Sequence, residues 1–224
     1  MNKLAETPNI ALDIETLSTQ PTAAIISIAA RVFTFSQGAS NDDRSKFTCL
    51  VSAASCAMDG LHFDMDTVRW WSEQLPLAKA PFENLTGQEI PIIKALDELQ
   101  HFIGAVRATS PDNKILVWCQ GTDFDIPILR NAYNVVWGVR EPWHRHEIRD
   151  ARTFIHTTLG LIRPDVEDPY SLIPKNPNWH PHEALSDVDQ LIWNVLYVQQ
   201  LFNDHLRHVD RDKAVKPMLH HPIF

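Results

Sequence analysis

The stretch from Ile10 to Leu17 constrains this chain most. Ile10, Leu12 and Ile14 share one parity, and Ala11, Asp13 and Glu15 share the other. In a strand, successive side chains point to opposite faces. Two carboxylates therefore stand on one face of an otherwise apolar strand, about 7 Å apart along the backbone. Carboxylates this close repel, and burial raises their pKa values further. A hard cation between them removes the conflict. Asp13 and Glu15 are thus candidate metal ligands. The alternative for this stretch alone puts one side chain at a sheet edge and uses the other to cap the turn before Leu17.

The elements that follow describe a mixed α/β layer system. Ile25 to Phe35 is rich in β-branched and aromatic residues and predicts a central strand, antiparallel to the first. Ser36 to Ser45 is polar and turn-like, and Lys46 to Val51 predicts a third strand that completes a meander. Asp66 is placed to cap a helix carrying Val68, Trp70 and Trp71, which Pro76 ends. Thr86 and Glu89 have capping-box spacing before the amphipathic run Ile92, Leu96, Leu99 and Ile103, with Gly104 near its end. Ile115 to Cys119 reads as a strand buried on both faces.

A helix is expected from about Asp125, with Pro127 in its first turn. Asp150 is placed to cap another helix, ending at Gly160. Trp143 to Arg149 has no clear pattern. Leu161 to Pro181 reads as a long proline-containing loop, a kind that is often functional. A last helix is expected from about Ala184 to His205. The 224 residues suffice for one large core, and a boundary near Pro81 or Pro164 is allowed but not demanded.

Composition narrows the function. Apolar content is 44 % and no stretch is long enough to span a membrane. Met1 to Asn9 lacks the apolar region of a secretory signal. Cys49, Cys56 and Cys119 form an odd set with no metal spacing, as expected of reduced thiols in a cytoplasmic protein. The net charge of −8 argues against a long electrostatic track on nucleic acid, but not against an enzyme holding a few nucleotides through metals.

Further carboxylates recur in helix-starting positions. Asp125 follows the buried strand, with Asp123 as its rival, and capping is the simpler role for either. Asp187 lies in the first turns of the last helix, where a negative charge is favourable in any case. His182 lies just ahead of that helix and is one of 11 histidines. Asp150 and Asp189 are further candidates, although Asp189 is two residues from Asp187 and should face elsewhere. Four carboxylates from three elements can gather round two cations at roughly 3.5 to 4 Å, and a neutral imidazole can accept a proton beside them. Residue chemistry thus reaches a possible metal hydrolase without naming a substrate.

Asp13-Ile14-Glu15, then Phe124-Asp125, then His182 with four residues between it and Asp187, resemble in order and setting the motifs of the DEDDh exonucleases. These are ribonuclease-H-like, proofreading-type 3′–5′ exonucleases. The resemblance covers roughly Ile10 to Phe202. It implies an α/β fold with a five-stranded mixed sheet flanked by helices, in one domain over residues 1–224 with its core at about 10–206. It implies two divalent cations, Mg²⁺ or Mn²⁺, held by Asp13, Glu15, Asp125 and Asp187, with His182 as general base. The implied partner is the 3′ end of single-stranded DNA or RNA, shortened by release of nucleoside 5′-monophosphates.

Thr16 and Leu17 correspond to positions that pack on the terminal nucleotide. Trp71 and Phe124, with Trp70, are candidate base-stacking rings, and core packing is the competing role for both tryptophans. Arg149 and Arg152, with Arg130, are the candidate basic groups. One departure is visible: the family often carries His-Asn ahead of the second-motif aspartate, where this chain has Gln120 and Gly121. Trp70-Trp71, Gly121 to Leu129 and Arg149 to Thr153 resemble a bacterial and phage branch of the family that includes phage T4 exonuclease A and a mycobacterial 3′–5′ exoribonuclease. Both monomers and homodimers occur in the family. Cleavage of short oligonucleotides or phosphodiester cofactors, and an inactive nucleic-acid-binding protein of the same fold, are the alternative functions.

Overall fold

The computed structural model describes residues 6–74 and 88–212. Among the described residues six strands form one mixed sheet: β1 (Asn9–Thr16), β2 (Ile25–Thr34), β3 (Gly38–Ala39), β4 (Lys46–Leu50), β5 (Leu116–Cys119) and β6 (Ile148–Asp150). The order is β3-β2-β1-β5-β6, with β4 also paired to β2. β2 runs antiparallel to β1, while β5 and β6 run parallel to it. The strand beyond the expected five is β3, two residues long, which pairs with the end of β2 where β4 no longer reaches.

The helices are α1 (Ala53–Met58), α2 (Met65–Ser72), α3 (Ile92–Thr109), α4 (Asp125–Ala132), α5 (Ala151–Ile162) and α6 (Ala184–Asp212). The parity of β1 assigns the two layers. Ile10, Leu12 and Ile14 are buried against Ile92, Leu96, Leu99 and Ile103 of α3 and Ile128 and Leu129 of α4. Ala11, on the other face, is buried with Trp118 of β5 and Val188, Leu191, Ile192 and Val195 of α6. A small residue at Ala11 lets α6 lie close across β1. Asp13 and Glu15 continue that face toward the first turn of α6.

β5 pairs with β1 only as far as Ala11. Past that point the edge of β1 is open, at the carboxyl end of two parallel strands. This is where ligands bind in α/β sheets.

Several element limits differ from the sequence expectation, each for a local reason. The cap of α2 is Asp64, whose carboxylate accepts from the Asp66 amide at 2.9 Å; Asp66 sits in the first turn. The capping-box residue Thr86, and Pro76, lie outside the described residues. α3 starts after Pro91, and the Ile92 amide donates instead to Ser55 Oγ of α1 at 2.9 Å. It also runs through Gly104 to Thr109, because burial of Val106 beyond the glycine offsets the ~1 kcal/mol that glycine costs a helix. α5 likewise passes Gly160 to Ile162, and α6 extends beyond His205.

The unassigned Trp143–Arg149 region contains the start of β6, three residues paired with Val117, Trp118 and Cys119. The expected 161–181 loop holds a 3₁₀ turn at Pro169–Leu172, capped by Asp168. Cys49, Cys56 and Cys119 are free thiols. Among the described residues, no helix is long and apolar enough to cross a membrane.

Candidate active site

Five of the residues singled out by sequence meet at the open end of β1. Glu15 is 9 % exposed and Asp125 4 % exposed, whereas Asp13, His182 and Asp187 are half-buried. Asp125 occupies the first position of α4, and no side chain caps that helix. Its carboxylate is held by the backbone N–H of Ile14, on the unpaired edge of β1, and by its own N–H. The acid therefore completes the strand edge that β5 leaves open.

Asp187 is held on both oxygens. Oδ1 accepts from the Trp179 indole at 2.6 Å, and Oδ2 accepts from the His182 backbone N–H at 2.8 Å. The second bond needs the chain to turn sharply ahead of α6, and His182 does so with φ of +65°. The His180 amide donates to Ser186 Oγ at 2.7 Å, tying the same loop to the helix start. The imidazole of His182 packs edge-on against Trp70, with ring centroids 4.8 Å apart and planes at 88°. Trp71 lies behind it at 6.3 Å.

The electrostatics are those of a site built for cations. Glu15, His182 and Asp187 each offer a ligand atom, all within 4.8 Å of one another. Burial, then the charges of Asp125, Glu15 and Asp187, hold the Asp13 carboxyl well above the usual carboxylate range. Burial, then Asp187 and Asp125, push Glu15 up to about 8. Burial pushes Asp125 up to about 7, although the two backbone N–H bonds and Arg152 oppose it. Asp187 is also raised, chiefly by burial, against its bonds to Trp179 and His182. Four crowded acids that resist ionisation are stabilised by bound positive charge, and an all-oxygen set with one imidazole suits hard divalent ions.

Three adjoining cavities surround the cluster. The central one, of about 230 Å³, contains the five residues above with Gln120, Asp123, Phe124 and Arg152. A second cavity, of about 470 Å³, shares Glu15, Phe124 and His182 with the centre and is walled further by Thr16, Trp70 and Trp71. A third cavity, of about 380 Å³, shares Asp13, Gln120 and Asp187 with the centre.

The remaining candidates divide. Thr16 borders the aromatic cavity and its carbonyl accepts from the Trp71 indole at 2.8 Å. Leu17, 1 % exposed, packs in the core and does not line these cavities. Trp71 is also 1 % exposed and packs in the core, with only an edge at the cavity; Trp70, 40 % exposed, is the ring that offers a face. Arg152 lies at the acidic cavity. Arg149 does not line these cavities and donates to the carbonyls of His146 and Ile148, while Arg130 pairs with Glu141 at 2.7 Å.

Asp150 caps α5 through the Thr153 amide at 2.6 Å and also accepts from the Thr122 amide at 2.8 Å, which fixes the turn ahead of α4. Asp189 faces away and pairs with Arg31 at 2.5 Å. Trp179, Tyr170, Lys175, Gln190 and Asn194 were not singled out by sequence. Gln190 and Asn194 sit three and seven residues after Asp187, on one helix face, and that spacing is a usable signal. Trp179 has no such marker.

Residues 8–199 match the family described as the 3′–5′ exoribonuclease Rv2179c-like domain. Among solved structures, the chain is similar to E. coli exonuclease I in complex with a dA16 oligonucleotide, with 14 % identity and a TM-score of 0.57, covering 91 % of this chain and 43 % of that one. It is similar to the zinc-ion-bound exonuclease I–single-stranded DNA complex, with 13 % identity and a TM-score of 0.59 over 92 % and 43 % of the two chains. It is also similar to cell-death related nuclease 4, with 11 % identity and a TM-score of 0.61 over 91 % and 66 %. The chain thus spans less than half the length of the exonuclease I chains, and these likenesses are of fold. No curated protein matches it.

Proposed function

Because the chain belongs to the 3′–5′ exoribonuclease Rv2179c-like family, we propose that it removes nucleoside 5′-monophosphates one at a time from the 3′ end of a single strand. The observation that carries this reading is the convergence of Asp13, Glu15, Asp125, Asp187 and His182 at the open end of β1. The family description favours RNA as the strand. The DNA complexes of exonuclease I support single-stranded DNA as a second substrate.

The acidic set fits two divalent cations, Mg²⁺ or Mn²⁺, with Asp13, Glu15, Asp125 and Asp187 as their holders. When bound, such ions would supply charge to neutralise the phosphate and to favour ionisation of the attacking water. The chain's own part is positioning and proton transfer. Trp70 and Phe124 flank the cavity in which the terminal base would stack, a contact that tolerates any base. Arg152, which lines the acidic cavity, supplies the guanidinium for the scissile phosphate in this reading. The water oxygen bonds to phosphorus and the bond to the 3′ oxygen of the preceding nucleoside breaks. His182 accepts the water's proton, and the departing 3′ oxygen takes up a proton.

The test uses three RNA strands of one sequence: linear, 3′-blocked and circular. Nucleoside 5′-monophosphates from the linear strand alone are expected. Cleavage of the circle would make the protein an endonuclease and overturn the reading.

A further inference from the structure

We propose that Gly121 is a positioning residue: its lack of a side chain seats the Arg152 guanidinium at the acidic cavity, where it meets the 5′-phosphate of the terminal nucleotide. This rests on the exonuclease reading and names what sets that phosphate contact in place.

Gly121 and Arg152 both line the acidic cavity. A Cβ at residue 121 would stand 3.2 Å from Arg152 Nη2 and 3.3 Å from its Cζ, with Asp123 Oδ1 at 3.0 Å. These separations are shorter than the usual contact of about 3.5 to 4.0 Å between carbons. The guanidinium therefore uses room that any other residue type would fill. Gly121 is not among the residues with positive φ, so its backbone conformation does not call for glycine. The close approach does.

The two backbone segments are pinned and cannot part to make room. Cys119 of β5 pairs with Asp150 of β6 just ahead of both residues. The Asp150 carboxylate then accepts from the Thr122 amide at 2.8 Å and from the Thr153 amide at 2.6 Å. One acid thus ties the turn that follows Gly121 to the first turn of α5 that carries Arg152. What yields to a side chain at residue 121 is the guanidinium.

The fold itself makes little use of Arg152. It is the second residue of α5, where the helix dipole opposes a cation. It is exposed, and its guanidinium makes no hydrogen bond or ion pair among the described residues. Helical side chains lean toward the N-terminus, so this one reaches back over its own cap to the 121 turn. Asp123 faces it across Gly121, and its charge acts on Asp125 in the cluster. A planar fork of N–H donors without a partner, at the edge of a cation site, suits two oxygens of one phosphate. Every nucleotide presents that group, so the contact is independent of the base.

The test is a binding series in Ca²⁺, in place of Mg²⁺ and Mn²⁺, with adenosine 5′-monophosphate and with adenosine. It covers wild type, Gly121→Ala, Gly121→Val, Arg152→Ala and the two double variants. Arg152→Ala should weaken the monophosphate by about tenfold or more and leave adenosine unchanged. Gly121→Ala should weaken the monophosphate a few-fold, because the guanidinium shifts only slightly, and Gly121→Val should approach the Arg152→Ala loss. In the Arg152→Ala background, neither change at residue 121 should have a further effect. A general loss of structure would move adenosine as well and would not vanish in that background. Gly121→Ala should melt close to wild type, which keeps the cycle readable if Gly121→Val does not fold. Additive losses, or monophosphate affinity unmoved by Gly121→Ala and Gly121→Val, would overturn the seat. Absence of RNA cleavage by wild type with Mn²⁺ would instead overturn the exonuclease reading, and cleavage with an additive cycle sinks the seat alone.

Discussion

Replacing Glu15 by glutamine should stabilise the metal-free protein at alkaline pH while weakening its response to divalent ions. The carboxyl is 9 % exposed, and burial with the charges of Asp187 and Asp125 pushes it up to about 8. An acid whose folded pKa is raised holds its proton more tightly when folded than when unfolded. Its stabilising effect is complete below the unfolded value of 4.5 and is lost as pH rises to about 8. At about 1.4 kcal/mol per pH decade, the full window is worth about 5 kcal/mol. Part of this is repulsion that Asp187 and Asp125 share, so removing one charge recovers on the order of 2 to 3 kcal/mol at pH 8. For a chain of this size that is a Tm increase of about 5 to 10 °C.

The assay is thermal melting of wild type and Glu15→Gln in EDTA from pH 5 to pH 8.5. The curves should lie together near pH 5 and separate as pH rises, with the variant above. Adding Mg²⁺ or Mn²⁺ at about 100 times its Kd should return about 2.7 kcal/mol to wild type and less to the variant. A variant less stable than wild type at pH 8 in EDTA, or a Tm difference independent of pH, would refute the electrostatic reasoning.

Three further outcomes are expected. His182→Ala should lower kcat by about 100-fold or more with strand affinity near wild type, since it removes proton transfer rather than binding; an unchanged kcat at neutral pH would make it an ordinary loop histidine. Trp70→Leu should weaken oligonucleotide binding by about 1 to 3 kcal/mol with little change in Tm, whereas Trp71→Leu should lower stability by on the order of 3 kcal/mol, as for other buried aromatics; melting and fluorescence-anisotropy binding separate the two. Trp179→Phe keeps the ring but removes the N–H bonded to Asp187, and should weaken divalent-ion affinity by roughly tenfold or more, read by calorimetric titration.

The parts of the molecule visible in the sequence are those with a short-range pattern. The parity of β1 separates Ile10, Leu12 and Ile14 from Asp13 and Glu15, and the structure puts those sets on opposite layers. The period of α3 and the capping role of Asp150 are equally local. What was not legible depends on distant partners. β6 exists because Val117, Trp118 and Cys119 offer it an edge, and three residues carry no period of their own. The start of α3 is satisfied by Ser55, 37 residues away. For Trp71 the sequence leaves stacking and core packing open, and the structure buries both it and Leu17 in the core. Trp179 is eight residues from Asp187 across an irregular loop, so no spacing rule links them.

The most direct measurement is a time course on matched 5′-labelled RNA and DNA single strands with Mn²⁺, run beside Glu15→Gln. A ladder that descends one nucleotide at a time from the 3′ end, present in wild type and absent in the variant, is the predicted result, with RNA shortened faster. Products that begin at the 5′ end, fragments that appear first from the middle, or equal activity in Glu15→Gln would contradict it.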